Sequence, residues 1–251
     1  MLFRSYALEI LFEQGYLATD WRINFQRYYN LSEKVFPRNF FKSTRTLEDW
    51  GRWVTLRSLA CLGVATIEQI SDYYRQRKVD VHSIIKELLT EGAVIATEVE
   101  GWKERAYLNS ADRIIVEAIE AGLYRSKLTV FLPPFDNLIW DRHRVHDLFG
   151  FDYHVELYTP LAKKERRYGY YVLPILHNGR LVGRIDPKVD RMSKTLTIHN
   201  IFIEDNQPFT ECLLVGISDA LREFMTFHDC HSLVIERTSP KELKTKLLSL
   251  I

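Results

Sequence analysis

At 251 residues with 46% hydrophobic content, the chain can form one large domain or two to three small ones with packed cores. A formal net charge of +1 excludes a globally basic nucleic-acid binder, so any surface for a polyanion must come from segregated charge. Cys61, Cys212 and Cys230 are odd in number and widely spaced, which points to reduced thiols in a cytoplasmic protein. The sequence carries no signal-peptide pattern and no stretch of membrane-spanning length, so no membrane partner is expected.

From the N-terminus, Leu2–Gln14 has helical spacing, with Leu2, Tyr6 and Ile10 on one face and Gly15 as a C-terminal stop. This helix opens at residue 1 without a capping segment, so the chain is expected to begin in mid-domain. Tyr16–Thr19 and Asn24–Tyr29 read as two short strands. Residues 1–31 are therefore expected to be the back half of a winged helix. The missing helices would leave Leu2, Tyr6 and Ile10 as a docking face for a protein partner. Residues 32–44, with Pro37, Asn39 and Ser43, read as a linker.

A complete winged helix is expected over 45–110. Its first helix covers Thr46–Leu62 and ends at Gly63. Thr66 and Gln69 form a capping box for a second helix to Gln76. Asp80 is expected to cap a third, whose buried face is Val81, Ile84, Ile85, Leu88 and Leu89. Strands Ala93–Glu98 and Arg105–Leu108 flank a turn at Glu100-Gly101. The solvent face of the third helix offers His82, Ser83, Lys86, Glu87 and Glu91. It is nearly neutral and poor at holding phosphate, so the unit reads as scaffold or partner-facing rather than as a sequence reader.

A connecting helix, Ala111–Leu123, lies in 111–127. Residues 128–251 read as an antiparallel, barrel-like α+β domain. Asp136 is expected to cap a helix over Asn137–Leu148. Thr195–Ile203 alternates as a strand with Leu196, Ile198 and Phe202 on one side. Phe209–Phe227 is a long helix, Ser232–Glu236 a strand, and Pro240 opens a last helix. The fold class is thus α+β: tandem winged-helix units, the first partial, followed by a barrel-like domain with helices.

Thr129–Arg191 organises the chain. Asn178-Gly179 is a strong type I′ hairpin signal, because both central positions need positive φ. A plain two-residue loop sets His177 opposite Arg180, Ile175 opposite Val182, Leu173 opposite Arg184 and Tyr171 opposite Asp186. The other face then carries Leu176 with Leu181, Pro174 with Gly183 and Val172 with Ile185, and is expected to be core. Just before the hairpin, Lys163, Lys164, Arg166 and Arg167 run into Tyr168, Tyr170 and Tyr171. Cations beside aromatics suit a phosphate backbone with a sugar or base nearby. The candidate DNA contacts are Lys163, Lys164, Arg166, Arg167, Arg180, Arg184, Lys188 and Arg191, with Tyr168 and Tyr171 for stacking or sugar contacts. A solvated loop and a half-solvated strand face are the plainer alternatives.

The order Leu132-Pro133-Pro134-Phe135-Asp136-Asn137-Leu138, Trp140-Asp141-Arg142, Leu148-Phe149-Gly150-Phe151, Tyr153, Glu156-Leu157-Tyr158, Pro160, Arg166-Arg167-Tyr168-Gly169-Tyr170-Tyr171, Leu173-Pro174 and Gly183-Arg184-Ile185-Asp186 resembles the YcaQ/AlkZ family. Weaker similarity includes Tyr29-Asn30-Leu31 and Val35-Phe36-Pro37. The resemblance implies a bacterial winged-helix DNA glycosylase linked to unhooking interstrand crosslinks and removing bulky alkylated bases. It also implies that about a third of a family protein precedes Met1, and that the nucleoid is the place of work.

A glycosylase must expose a nucleotide, place water at C1′ and stabilise a cationic sugar. Members of the family use a Gln-x-Gln or Gln-x-Asp motif near the N-terminus. The glutamines here, Gln14, Gln26, Gln69, Gln76 and Gln207, form no such triplet. Asp136, Asp141, Glu156 and Asp186 remain as carboxylates, for which capping and ion pairing (Asp141 with Arg142, Arg144 or another arginine, Asp186 with Arg184 or a neighbouring strand cation) are the plainer roles. His143, His146 and Asp147, and His228, Cys230 and His231, each lack the second half of a metal site. No P-loop or GxGxxG is present, and no cofactor is expected. The reading is a module that binds double-stranded DNA, with catalysis lost or supplied elsewhere. An active glycosylase with a rearranged site and a non-catalytic docking protein are the alternatives.

Overall fold

A computed structural model describes residues 2–42, 46–156 and 167–251. The chain divides into two compact units, Met1–Trp53 and Val54–Ile251.

In the first unit, α1 (Leu2–Glu13) runs to Gly15, whose φ of +80° ends the helix. Strands β1 (Leu17–Ile23) and β2 (Gln26–Leu31) pair antiparallel. Asn24 and Phe25, expected inside a strand, are instead the two turn residues, with φ of 47° and 65°. Within the expected linker, α2 (Ser32–Val35) leads to a 3-10 turn over Arg38–Lys42. The Ser32 hydroxyl donates to the Gly15 carbonyl at 2.6 Å, and Phe36 stacks on Phe40 at 4.7 Å. These contacts hold the segment locally, which its Pro and Asn residues do not advertise, and they leave Phe36 and Phe40 exposed. Tyr6 and Ile10 on α1 are exposed.

Helix α3 (Leu47–Leu62) crosses the boundary between the units. Its N-terminus is held by a reciprocal pair: the Thr46 amide donates to Asp49, and the Asp49 amide to the Thr46 hydroxyl. Strand β3 (Val64–Thr66) feeds α4 (Ile67–Tyr73) through the expected Thr66/Gln69 capping box. Helix α5 (Lys78–Thr90) starts two residues before Asp80. Asp80 does not cap it; its carboxylate takes the Arg77 guanidinium at 2.8 Å. Val81, Ile85 and Leu88 bury against Leu59, Ile70 and Val94. Burying each such side chain is worth about 1.5–3 kcal/mol. Strands β4 (Val94–Thr97) and β5 (Ala106–Asn109) complete a three-stranded sheet of order β3-β5-β4. Helix α6 (Arg113–Glu120) follows.

The rest is a curled, mainly antiparallel sheet with helices, a half-barrel open between its first and last strands. Its strands are β6 (Thr129–Phe131), β7 (Leu173–His177), β8 (Arg180–Asp190), β9 (Thr195–Ile203), β10 (Ser232–Ile235) and β11 (Thr238–Ser239). Their order is β10-β9-β8-β7-β6, and β11 extends the parallel edge of β9. Helices α8 (Glu211–Phe227) and α9 (Glu242–Leu248) cover one face, burying Leu213, Ile217, Leu221, Leu243 and Leu247 against Ile175, Ile185, Leu196 and Ile198. The other face packs Leu181 against Leu132, Ile139, Val145, Phe151 and Tyr153.

Helix α7 (Arg142–Phe149) begins later than expected. Asp141, not Asp136, caps it, accepting from the His143 and Arg144 amides. Asp136 instead accepts from the Leu138 amide in a tight turn.

Two bulges reset the alternation. The Asn178-Gly179 turn forms with φ of 50° and 79°, and His177 faces Arg180 and Leu176 faces Leu181 as expected. Beyond that pair the register slips by one, so Ile175 faces Gly183, Pro174 faces Arg184 and Leu173 faces Ile185. The expected core residues Leu181, Val172 and Ile185 are buried, but one extra residue at Val182 moves later side chains to the opposite face, so Ile185 joins Leu173, Ile175 and Val182 in one core cluster while Leu181 lies in another. A second slip sets Pro187 opposite Ile198, so β9 buries Leu196, Ile198, Ile201 and Ile203, and Phe202 lies on the other face. Among the described residues no helix is long and apolar enough to cross a membrane.

Candidate nucleic-acid interface

The bulge in β8 determines the fate of Arg184. It turns this side chain inward, where it is 5% exposed and lies between the rings of Phe151 and Tyr168, 4.2 Å from each centroid. Its Nε donates to Glu204 at 2.8 Å and its Nη1 to the Asp152 carbonyl at 2.7 Å. A guanidinium engaged on both edges and stacked on both faces is not available to a phosphate. The sequence reading sets Arg184 among the DNA contacts and offers it, or a neighbouring strand cation, to Asp186; the structure places it in the interior with Glu204 as its carboxylate partner.

Asp186 is buried and serves the backbone, accepting from the Tyr170 and Tyr171 amides at 3.0 and 3.1 Å. Glu156 accepts from the Arg167, Tyr168 and Gly169 amides at 3.2, 3.1 and 3.0 Å. Two carboxylates thus take five consecutive N–H groups, 167 to 171, where a ladder partner would otherwise be needed. Gly169 is required there: a Cβ would lie 2.1 Å from an Asp186 oxygen, and φ is +154°. The Tyr153 hydroxyl donates to the Val172 carbonyl at 2.8 Å, and burial raises its pKa. Tyr168 packs on Phe202 at 5.2 Å.

This frame holds the C-terminal root of the basic segment. Arg167 is exposed, 5.0 Å above the Tyr168 ring, and Tyr171 is exposed beside it. Lys163, Lys164 and Arg166 lie outside the described residues. Arg180 is exposed at the hairpin tip, whereas Lys188 and Arg191 are exposed at the far end of β8. At ~3.3 Å per residue these ends are roughly 30 Å apart, so Arg180 stands well away from Lys188 and Arg191 along the strand. Glu204, Asp152 and Phe151 were not anticipated as partners of Arg184. They come from other parts of the chain and carry no local signal.

Each of the four carboxylates weighed for catalysis has a backbone partner: Asp136 at Leu138, Asp141 at His143 and Arg144, Glu156 at 167–169 and Asp186 at 170–171. Asp141 caps α7, and among the described residues it forms no salt bridge.

A separate cleft of about 1030 Å³ runs between α4, the 101–104 turn and the start of α7, with Trp102, Trp140, Lys103 and Arg142 in its walls. Arg144, in the same wall, is buried and reaches back to α3 and β3, donating to the Leu62 and Val64 carbonyls at 2.7 and 3.0 Å. Burial lowers its pKa, and Asp141 partly opposes that. Glu68, Asp72, Glu104 and Asp147 also line the cleft, so its charge is mixed and it is no simple anion site. Tyr73, beside it, is pushed up to about 12, first by burial and then by a hydrogen bond with Cys61. His146 pairs with Asp152 at 2.9 Å, and no metal-binding cluster of His, Cys, Asp and Glu occurs among the described residues.

A family model described as DNA glycosylase AlkZ-like matches residues 4–227. The chain belongs to the AlkZ-like DNA glycosylase family. That match runs from α1 through α8 and contains the whole carboxylate frame. It ties this AlkZ-like chain to DNA repair and makes DNA the substrate class its family handles. No solved structure matches the chain.

Proposed function

We propose that this AlkZ-like chain is a duplex-DNA-binding module that grips the phosphate backbone through its basic segment and does not itself cleave the glycosidic bond. The observation that carries the reading is the double-carboxylate frame. Glu156 and Asp186 fix five successive amides, and Arg184 locks the Tyr168 ring from beneath. Arg167 is thereby rooted on an ordered base, so less entropy is lost when it meets phosphate, and Lys163, Lys164 and Arg166 precede it in sequence as its companion cations. Arg180, Lys188 and Arg191 are secondary contacts and Tyr171 is a sugar or base contact; Arg184 and Tyr168 act as supports.

In this reading residues 1–31 are the recognition-helix and wing half of a winged helix, and 32–44 join it to a complete winged helix over 45–110. The latter is supported by the helix–strand–helix–helix–strand–strand order and the β3-β5-β4 sheet. Residues 111–127 then connect to the α+β domain at 128–251. The work belongs with nucleoid DNA in the cytoplasm, on alkylated or crosslinked sites.

Duplex affinity measured against salt tests the proposal. Binding should weaken steeply as salt rises. Replacing Arg166 and Arg167 together by Gln should reduce affinity by about 1–3 kcal/mol and flatten the log–log slope by roughly 2. A slope unchanged by that double substitution would remove the basic segment from the interface.

A further inference from the structure

Among the described residues, two tight hairpins have two-residue turns with positive φ at both positions. One uses Asn178-Gly179, the pairing such a turn favours. The other, joining β1 to β2, uses Asn24-Phe25, with Phe25 at φ 65°. A bulky side chain in the left-handed region is strained, and Gly would relieve it. Phe25 also has no packing to compensate: it is 94% exposed. The strain and the exposure together mark a residue kept for what it meets outside the chain.

Its surroundings indicate what that is. Directly behind the tip, Arg22 faces Arg27 across the strands, a like-charge pair that is unfavourable until an anion lies against it. Both are exposed, and neither makes a salt bridge with a described residue. Arg27 lies over Phe12 of α1 at 5.5 Å, which limits its freedom. On the opposite face Trp21 meets Tyr28 edge-on at 5.6 Å, and both are exposed, as is Ile23. Asp20, further back along β1, accepts from the Asn30 side-chain amide. An aromatic point with paired cations behind it fits a stacked polyanion, where an apolar wedge enters between bases and the cations take the flanking phosphates.

We propose that Phe25 is an unstacking wedge for duplex DNA and that Arg22 and Arg27 seat it on the backbone. A base handled by a glycosylase must leave the stack, and a side chain filling the gap lowers the cost of that opening. The inference rests on the duplex-binding reading above but concerns a different unit and different residues.

The test uses the full chain and a short duplex carrying 2-aminopurine beside a mismatch, at low salt. Binding of the wild type should raise the 2-aminopurine fluorescence. Phe25→Gly and Phe25→Ala should still bind, weakened roughly tenfold or less, but should lose the fluorescence rise, and Phe25→Trp should retain it. Phe25→Gly should also melt at a higher temperature than the wild type, since the turn is relaxed and no packing is lost. Arg22→Gln with Arg27→Gln should flatten the salt slope by roughly 2. A Phe25→Gly variant that unstacks DNA as well as the wild type would overturn the wedge while leaving duplex binding intact. So would light scattering showing that Phe25→Gly splits an oligomer, because the wing would then be a protein contact. A wild type that binds no duplex at low salt would overturn both readings.

Discussion

Arg184 brings a full charge into a site that is 5% exposed, and three sets of contacts offset the desolvation: Glu204, the Asp152 carbonyl and two aromatic faces. Glu204 keeps 23% of its side chain exposed, so it can be partly rehydrated if its partner is lost. Arg184→Met should therefore destabilise by about 2 kcal/mol, below the full cost of stranding a buried charge. Chemical denaturation would measure this. Adding Glu204→Leu should recover part of the loss, because the pair is then removed as a unit. The slope of duplex affinity against salt should stay at its wild-type value, unlike that of the Arg166 and Arg167 variant. A flattened slope in Arg184→Met would mean that the side chain reaches phosphate after all.

Helix α8 approaches the sheet closely at Gly216. A Cβ on Gly216 would lie 2.3 Å from the Thr129 hydroxyl and 3.2 Å from His177 Nδ1, and those two groups are bonded to each other at 2.8 Å. In an exposed helix Gly→Ala gains about 1 kcal/mol. Gly216→Ala should instead lose about 1–3 kcal/mol through overpacking, read as a lower denaturation midpoint. Thr129→Ala in the same chain should restore much of it; a Gly216→Ala that melts higher on its own would contradict the close approach. Such elements also mark what was legible in the sequence. Local signals held: the Thr66/Gln69 capping box, the Asn178-Gly179 turn, the bounds of β9 and the length of α8 all follow from near-neighbour chemistry. What failed was alternation carried past a bulge, at Val182 and at His199, since one inserted residue is invisible to a pattern of period two. The placement of Asp136, Asp80 and Asn24 failed by a few residues for a related reason: the same residue types serve turns, caps and ion pairs. The carboxylate frame was unreadable because Glu156, Asp186 and the 167–171 amides are brought together only by tertiary packing.

For the whole molecule, the question is whether a chain of a glycosylase family can release a base with the groups it holds. The 251 residues contain no Gln-x-Gln or Gln-x-Asp triplet. The four carboxylates of the family-like stretch are occupied by backbone amides, and a carboxylate accepting several N–H bonds is held as a hydrogen-bond acceptor rather than offered to water. Freeing Glu156 for catalysis would strip three amides of their partner, at about 1–3 kcal/mol for each one left buried. Incubated with alkylated duplex DNA, the chain should therefore leave no more abasic sites than buffer does, scored as strand breaks after alkali. Glu156→Gln and Asp136→Asn should lower the melting temperature and leave that background unchanged. If wild-type protein generated abasic sites and Glu156→Gln abolished them while remaining folded, the frame would be a catalytic centre rather than a support. The same chain would then have to combine both roles in one carboxylate.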